Sequence, residues 1–198
     1  MKIAITGGIG SGKSTVAKII KDMGYPVFSC DEIYKNIFES AGFIEQIRKS
    51  FPVAIKNEKI DKAELAKVVF SNREKREQLN RLSHPMIMEL LNKEMDKCTN
   101  EFIFAEVPLL FEGNFEDQFD KIIVVKRAFK ERLTALQKRD GLNVGEILER
   151  INAQVDYDSE KMQARLQGDN ILLIENSNSS LEDLKEKIYR IIQSLLLV

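Results

Sequence analysis

Gly7-Gly8-Ile9-Gly10-Ser11-Gly12-Lys13-Ser14, followed by Thr15, satisfies every fixed position of G-x-x-x-x-G-K-[ST]. Glycines let the backbone bend so that successive N–H groups point into one concavity, the shape a polyphosphate fills. The context agrees with the motif. Lys2-Ile3-Ala4-Ile5-Thr6 before it is a short apolar strand, and Val16, Ile19, Ile20 and Met23 after it fall on one helical face, with Gly24 as a stop. A strand, a glycine-rich turn and a helix in that order predict a P-loop at the C-terminal end of a parallel strand.

Working outward, four more apolar runs read as buried strands: Pro26–Ser29, Phe102–Val107, Lys121–Lys126 and Asn170–Glu175. Helical patterns lie between them, the last repeating Leu181, Leu184, Ile188, Ile191 and Leu195, with Leu195-Leu196-Leu197-Val198 closing the helix. The expected fold class is α/β: a P-loop kinase core with a five-stranded parallel sheet flanked by helices, plus a helical insertion and a lid. About seventy residues separate the second and third strands, too many for an ordinary crossover. They carry helix signals, a capping-box-like Asp61-x-x-Glu64 before Leu65, Val68, Val69 and Phe70, and Pro85 as a first-turn proline ahead of Ile87, Leu90, Leu91 and Met95. The predicted division is a core of 1–35 and 101–198 and a helical insertion of 36–100 over the sheet's C-terminal edge, where acceptors of open α/β sheets bind.

The chemistry expected of the loop is that of ATP and Mg²⁺. Gly8, Gly10, Ser11, Gly12, Lys13, Ser14 and Thr15 form the phosphate cradle, Lys13 reaches the β- and γ-phosphates, and the Ser14 hydroxyl sits on the metal. A P-loop also serves switches and motors, so the acceptor has to be read elsewhere. A guanine-reading Asn-Lys-x-Asp is absent, and no Asp-x-x-Gly follows the third strand. Phosphoryl transfer to a small molecule is therefore favoured over a nucleotide-driven switch. Asp31, at the end of the second strand, is the candidate base for an acceptor hydroxyl, the alternative being a cap on a helix starting at Glu32. Six basic residues against Glu131 over Lys126–Arg139 suggest a cationic lid, about 138–165, with Arg139 before the turn-like Asp140-Gly141.

Composition narrows the partners. Thirty basic and thirty-one acidic residues leave a net charge of −1, which argues against general nucleic-acid binding. Cys30 and Cys98 are too few for a disulfide framework or a zinc site. No signal peptide is seen, and no apolar run approaches the roughly 18 residues of a membrane span. A cytoplasmic enzyme without membrane or nucleic-acid partners, most simply a monomer, is expected.

Several strings in order resemble the dephospho-CoA kinase family. They are the extended loop Thr6–Thr15, Ser29-Cys30-Asp31, Ser83-His84-Pro85 and Val107-Pro108-Leu109-Leu110-Phe111-Glu112, then Gln137-x-Arg139-Asp140, Gln154, Glu160-Lys161 and Glu175-Asn176. The resemblance covers Met1 to about Ser177. It implies ATP-dependent phosphorylation of the ribose 3′-hydroxyl of dephospho-CoA, the last step of coenzyme A synthesis, on a core, a CoA-binding helical domain and a lid. It favours Asp31 as catalytic base and Arg139 as a lid arginine facing phosphates. Leu109, Phe111 and Glu112 become candidates for the acceptor side. So does His84, for which capping the helix opened by Pro85 is the preferred alternative. Ser29 stands where the family usually has the first Asp of Asp-x-Asp; if that carboxylate orients metal-bound water, Glu106 is a candidate to compensate.

Overall fold

In the computed structural model, which describes residues 1–70 and 72–197, the chain divides into two units, Met1–Phe28 with Cys98–Val198, and Ser29–Lys97. Val198 and the Phe70 side chain, both named in the sequence patterns, lie outside the described residues. The elements run β1 (Lys2–Thr6), α1 (Lys13–Asp22), β2 (Val27–Ser29), α2 (Cys30–Ile37), α3 (Ala41–Ser50), β3 (Ile55–Lys56), β4 (Lys59–Ile60), α4 (Lys62–Phe70) and α5 (Arg73–Met95). They continue with β5 (Ile103–Glu106), α6 (Leu110–Gly113), β6 (Lys121–Lys126), α7 (Phe129–Asp140), α8 (Val144–Asn152), α9 (Glu160–Arg165), β7 (Ile171–Glu175) and α10 (Leu181–Leu195).

Five of these strands form one parallel sheet in the order β2-β5-β1-β6-β7. β1 lies at its centre, with Ile5 opposite Glu106 on one side and Thr6 opposite Val124 on the other. Ile3, Ile5, Phe104, Ile123 and Val125 pack with Val16 and Ile20 of α1 and with Leu184, Ile188, Ile192 and Leu195 of α10. Each such side chain contributes about 1.5–3 kcal/mol on leaving water. This core fixes the sheet edge on which the loop after β1 sits. The helical face of α10 is shifted slightly from the expected one: Leu181 is exposed and Ile192 is buried.

The Ser29–Lys97 unit has its own core of Ile37, Phe38, Phe43, Ile47, Phe51, Leu65 and Leu91. The Tyr34, Phe38 and Phe43 rings meet edge to face at 5.0 and 5.4 Å. Asp61 accepts from the Ala63 and Glu64 N–H groups and so caps α4, as its spacing predicts. The β3–β4 hairpin was not foreseen. Its strands have two residues each, too short for a period-two pattern, and Asn57 and Glu58 at its turn both take positive φ.

Pro85 corrects an expectation. It does not open a helix but lies inside α5, whose cap is Asn72, accepting from Lys75 N–H at 3.0 Å. The ring removes the bond to the Arg81 carbonyl. Pro85 and Arg81 are both exposed, so no buried polar group is orphaned, while buried Leu79, Ser83, Ile87, Met88 and Leu91 keep the helix continuous. His84 is consequently a mid-helix residue and not a cap, and burial lowers its pKa.

Candidate nucleotide site

The loop Gly7–Ser14 turns between β1 and α1 with positive φ at Gly7, Gly10 and Gly12. At Gly7 the glycine is obligatory: an added Cβ would stand 2.2 Å from the Val125 carbonyl oxygen of β6. Gly12, the N-cap of α1, supplies no side-chain cap, and the helix has no acid in its first turn. The leading N–H groups of a helix have no partner within it, and its dipole makes that end positive. An uncapped, acid-free helix start behind a glycine loop is suited to a phosphate.

Lys13 is buried, and its ammonium donates to the carbonyls of Gly7 and Gly8 at 2.9 and 3.1 Å. The Ser14 hydroxyl donates to Glu106 Oε1 at 2.7 Å. That pair follows from register, since Glu106 ends β5 opposite Ile5, one step from the loop. Ser11 is 1% exposed and its hydroxyl has no partner among the described residues, an orphan in the loop itself.

Three distant side chains hold the loop's shape. Asn176, one residue beyond β7, donates from Nδ2 to the Ser11 carbonyl at 2.8 Å. Gln154 accepts the Ile9 N–H at 2.6 Å, and Arg132 Nε donates to the Ile9 carbonyl at 2.9 Å. Sequence reading placed Gln154 and Asn176 only in a string of matching motifs and left Arg132 among a basic run. Asn176 had a usable signal, its place just past the C-terminal end of a strand; Gln154 and Arg132 had none. Beside the loop lies a cavity of about 240 Å³, lined by Gly8, Ser11, Arg127, Arg132, Glu175 and Ser177 among others.

The segment after α8 is anchored on both sides. Val155 N–H donates to Glu112 Oε1 at 3.0 Å, and Phe111, 2% exposed, meets Tyr157 at 6.0 Å with the Arg165 guanidinium 5.0 Å above its ring. Phe111 and Glu112 are thus part of the wall between the β5 end and that segment; Leu109, half-buried, is the N-cap of α6. Burial raises the Tyr157 pKa. Arg139 is exposed and makes a two-pronged pair with Asp140 at 2.7 and 2.9 Å, which raises the arginine's pKa and lowers that of Asp140. Asp140 ends α7 and Gly141, at φ 66, closes it, so the expected turn is there.

Asp31 and His84 belong to the other unit. Asp31 is not the cap that the alternative reading required. Ser29 holds the N-cap position and α2 already begins at Cys30, leaving Asp31 exposed in the first turn, its carboxylate without a hydrogen bond to any described residue.

Comparison with known proteins adds the following. The family model described as dephospho-CoA kinase matches residues 1–182. A dephospho-CoA kinase of Fusobacterium nucleatum is 37% identical, with 98% of each chain covered. A crystal structure from Thermus thermophilus superposes with a TM-score of 0.80 at 33% identity, over 98% of this chain and 97% of the other. The dephospho-CoA kinase structure from Campylobacter jejuni gives 0.67 at 30% identity, over 98% of each.

Proposed function

The chain belongs to the dephospho-CoA kinase family, and from that premise we propose a division of labour among its residues. The reaction is ATP-dependent phosphorylation of dephospho-CoA in coenzyme A biosynthesis. The Gly7–Thr15 loop holds the triphosphate, and the observation that carries this is the buried Lys13 ammonium on the Gly7 and Gly8 carbonyls in front of an uncapped helix. Lys13 moves from those carbonyls to the β- and γ-phosphate oxygens, where it offsets charge developing in transfer.

Asp31 takes the proton of the ribose 3′-hydroxyl as that oxygen attacks the terminal phosphorus and ADP departs. A carboxylate exposed and without a hydrogen bond to any described residue supports that role, because its one local interaction is the weak one with the α2 N-terminus. The Ser29–Lys97 unit, with His84, binds the CoA portion of the acceptor, and Leu109, Phe111 and Glu112 of the other unit are further acceptor-side residues. The stretch of about 138–165 acts as a lid, in which Arg139 exchanges Asp140 for phosphate oxygens.

Mg²⁺ is part of this proposal. Ser14 Oγ and Glu106 Oε1, 2.7 Å apart, are the hard oxygen donors that ion takes, directly or through its waters. When bound it would neutralise charge on the β- and γ-phosphates. Glu106 thereby supplies the carboxylate that Ser29 lacks. The enzyme is read as a cytoplasmic monomer; its near-neutral charge supports work without nucleic acid, and no helix among the described residues is long and apolar enough to cross a bilayer.

The test is ADP release from ATP and Mg²⁺ with dephospho-CoA, AMP, CMP, shikimate or gluconate as acceptor. Dephospho-CoA should dominate, and phosphate should appear on the 3′-hydroxyl by NMR of the product. Equal turnover on another acceptor would overturn the assignment.

A further inference from the structure

Arg132 differs from the other cations of its run in what it touches. It lies on the first turn of α7, and its Nε is engaged by the Ile9 carbonyl at 2.9 Å, 123 residues away in sequence. The rest of the guanidinium lies against Gly8: a Cβ there would stand 2.7 Å from Nη2, 2.9 Å from Cζ and 3.3 Å from Nη1. The glycine leaves room for the arginine. Nη1 and Nη2 make no hydrogen bond to a described residue, and the side chain lines the cavity of about 240 Å³ together with Gly8 and Ser11. Burial lowers the Arg132 pKa. Asp158, the first acid acting on it, is itself paired with Lys126 at 3.1 Å.

Two cations therefore converge on one glycine, Lys13 at the Gly8 carbonyl and Arg132 at its α-carbon. Desolvating a guanidinium beside an ammonium is unfavourable unless an anion joins them. The α1 N-terminus serves one phosphate group, and Lys13 reaches from there toward the next. We propose that Arg132 is a phosphate-contacting residue: Nε stays on the Ile9 carbonyl while Nη1 and Nη2 donate to the terminal phosphate of ATP. The bond to Ile9 fixes the plane of the guanidinium, so its planar fork is oriented before the nucleotide arrives. One side chain then shapes the loop and distinguishes a triphosphate from a diphosphate. Gln154, which holds the other side of the Ile9 peptide, shapes the loop only.

This inference rests on the ATP-dependent reading, but its test needs no acceptor. Equilibrium binding of ATP and of ADP, each with Mg²⁺, is measured by calorimetry on the full chain and on Arg132→Gln, Arg132→Lys and Gln154→Leu. Arg132→Gln should lose ATP affinity roughly ten- to hundredfold, the range of a hydrogen-bonded charge contact, and ADP affinity less than about threefold. Arg132→Lys, which keeps the charge but cannot serve Ile9 and phosphate together, should show the same contrast at smaller size, and carries the comparison should the glutamine variant not fold. Gln154→Leu should weaken both nucleotides by similar factors. Equal losses of ATP and ADP in the Arg132 variants, the Gln154 pattern, would overturn the proposal. Failure of the family reading is a separate result, a wild-type chain that does not turn over dephospho-CoA.

Discussion

Replacing Asp31 by Asn separates its two readings because the structure sets their costs apart. A capping Asp would lose about 0.5–2 kcal/mol on removal. Asp31 instead stands in the first turn of α2, exposed, with Ser29 at the cap position. What remains is an acid near a helix N-terminus, worth about 0.3–1 kcal/mol. For a chain of this size each kcal/mol moves the melting point by about 2–4 °C, so Asp31→Asn should shift it by roughly 1–4 °C. Removing a general base should lower kcat about 10²- to 10⁴-fold, or roughly 2.7–5.4 kcal/mol of barrier. ATP affinity should stay nearly unchanged, since Asp31 is not part of the loop. The assay is coupled ADP release at saturating dephospho-CoA, with calorimetric ATP binding and thermal melting on the same preparations. A kcat within about threefold of wild type would refute the base. A melting point lowered by about 8 °C or more with a proportionate loss of active protein would make Asp31 structural instead.

Glu106→Gln keeps an oxygen for the Ser14 hydroxyl but removes the charge; it should weaken the Mg²⁺ enhancement of ATP binding about 10- to 100-fold while leaving metal-free binding near wild type. An unchanged Mg²⁺ titration would remove Glu106 from the metal site. Gly7→Ala combines a φ of 142° with a Cβ 2.2 Å from the Val125 carbonyl and should cost about 3 kcal/mol or more, roughly 6–12 °C. Gly24→Ala has φ of 93° and no atom within 4 Å, so it should cost only the strain of about 1–2 kcal/mol; equal melting points for the two would refute the close approach.

The fold was legible where its signal is local. Apolar runs of five or six residues mark the sheet strands β1, β5, β6 and β7 to within a residue or so. β1, β5 and β6 need them because they are largely buried on both faces, while β7 keeps one at the sheet edge with only Ile174 fully buried. Pro85 was misread for the opposite reason. Proline's local rule places it at a helix start, but α5 is held by buried contacts along 23 residues and accepts it on its exposed face. The β3–β4 hairpin and the start of α2 at Cys30 depend likewise on packing within the Ser29–Lys97 unit, which no short window of sequence contains.

The site divides along the same line. The turn at Gly7, Gly10 and Gly12 that leads into α1 at Lys13 could be read from the motif, because backbone shape is set by neighbours in sequence. The groups that stabilise this shape come from 123 to 165 residues away: Arg132 and Gln154 on the Ile9 peptide, Asn176 on the Ser11 carbonyl. Their chemistry explains why they are there. A glycine-rich loop has no side chains to hold itself and loses more conformational entropy on ordering than any other segment of its length. Its carbonyls and N–H groups must be tied from outside to keep the cradle formed. The ties have to come from segments that reach the loop, which the first turn of α7, the segment after α8 and the residue after β7 do. The motif therefore names the ligand, and the long-range ties decide how tightly and how selectively the loop grips it. Arg132 is the tie with donors left over, so it is the one through which holding the loop and recognising the terminal phosphate become a single function.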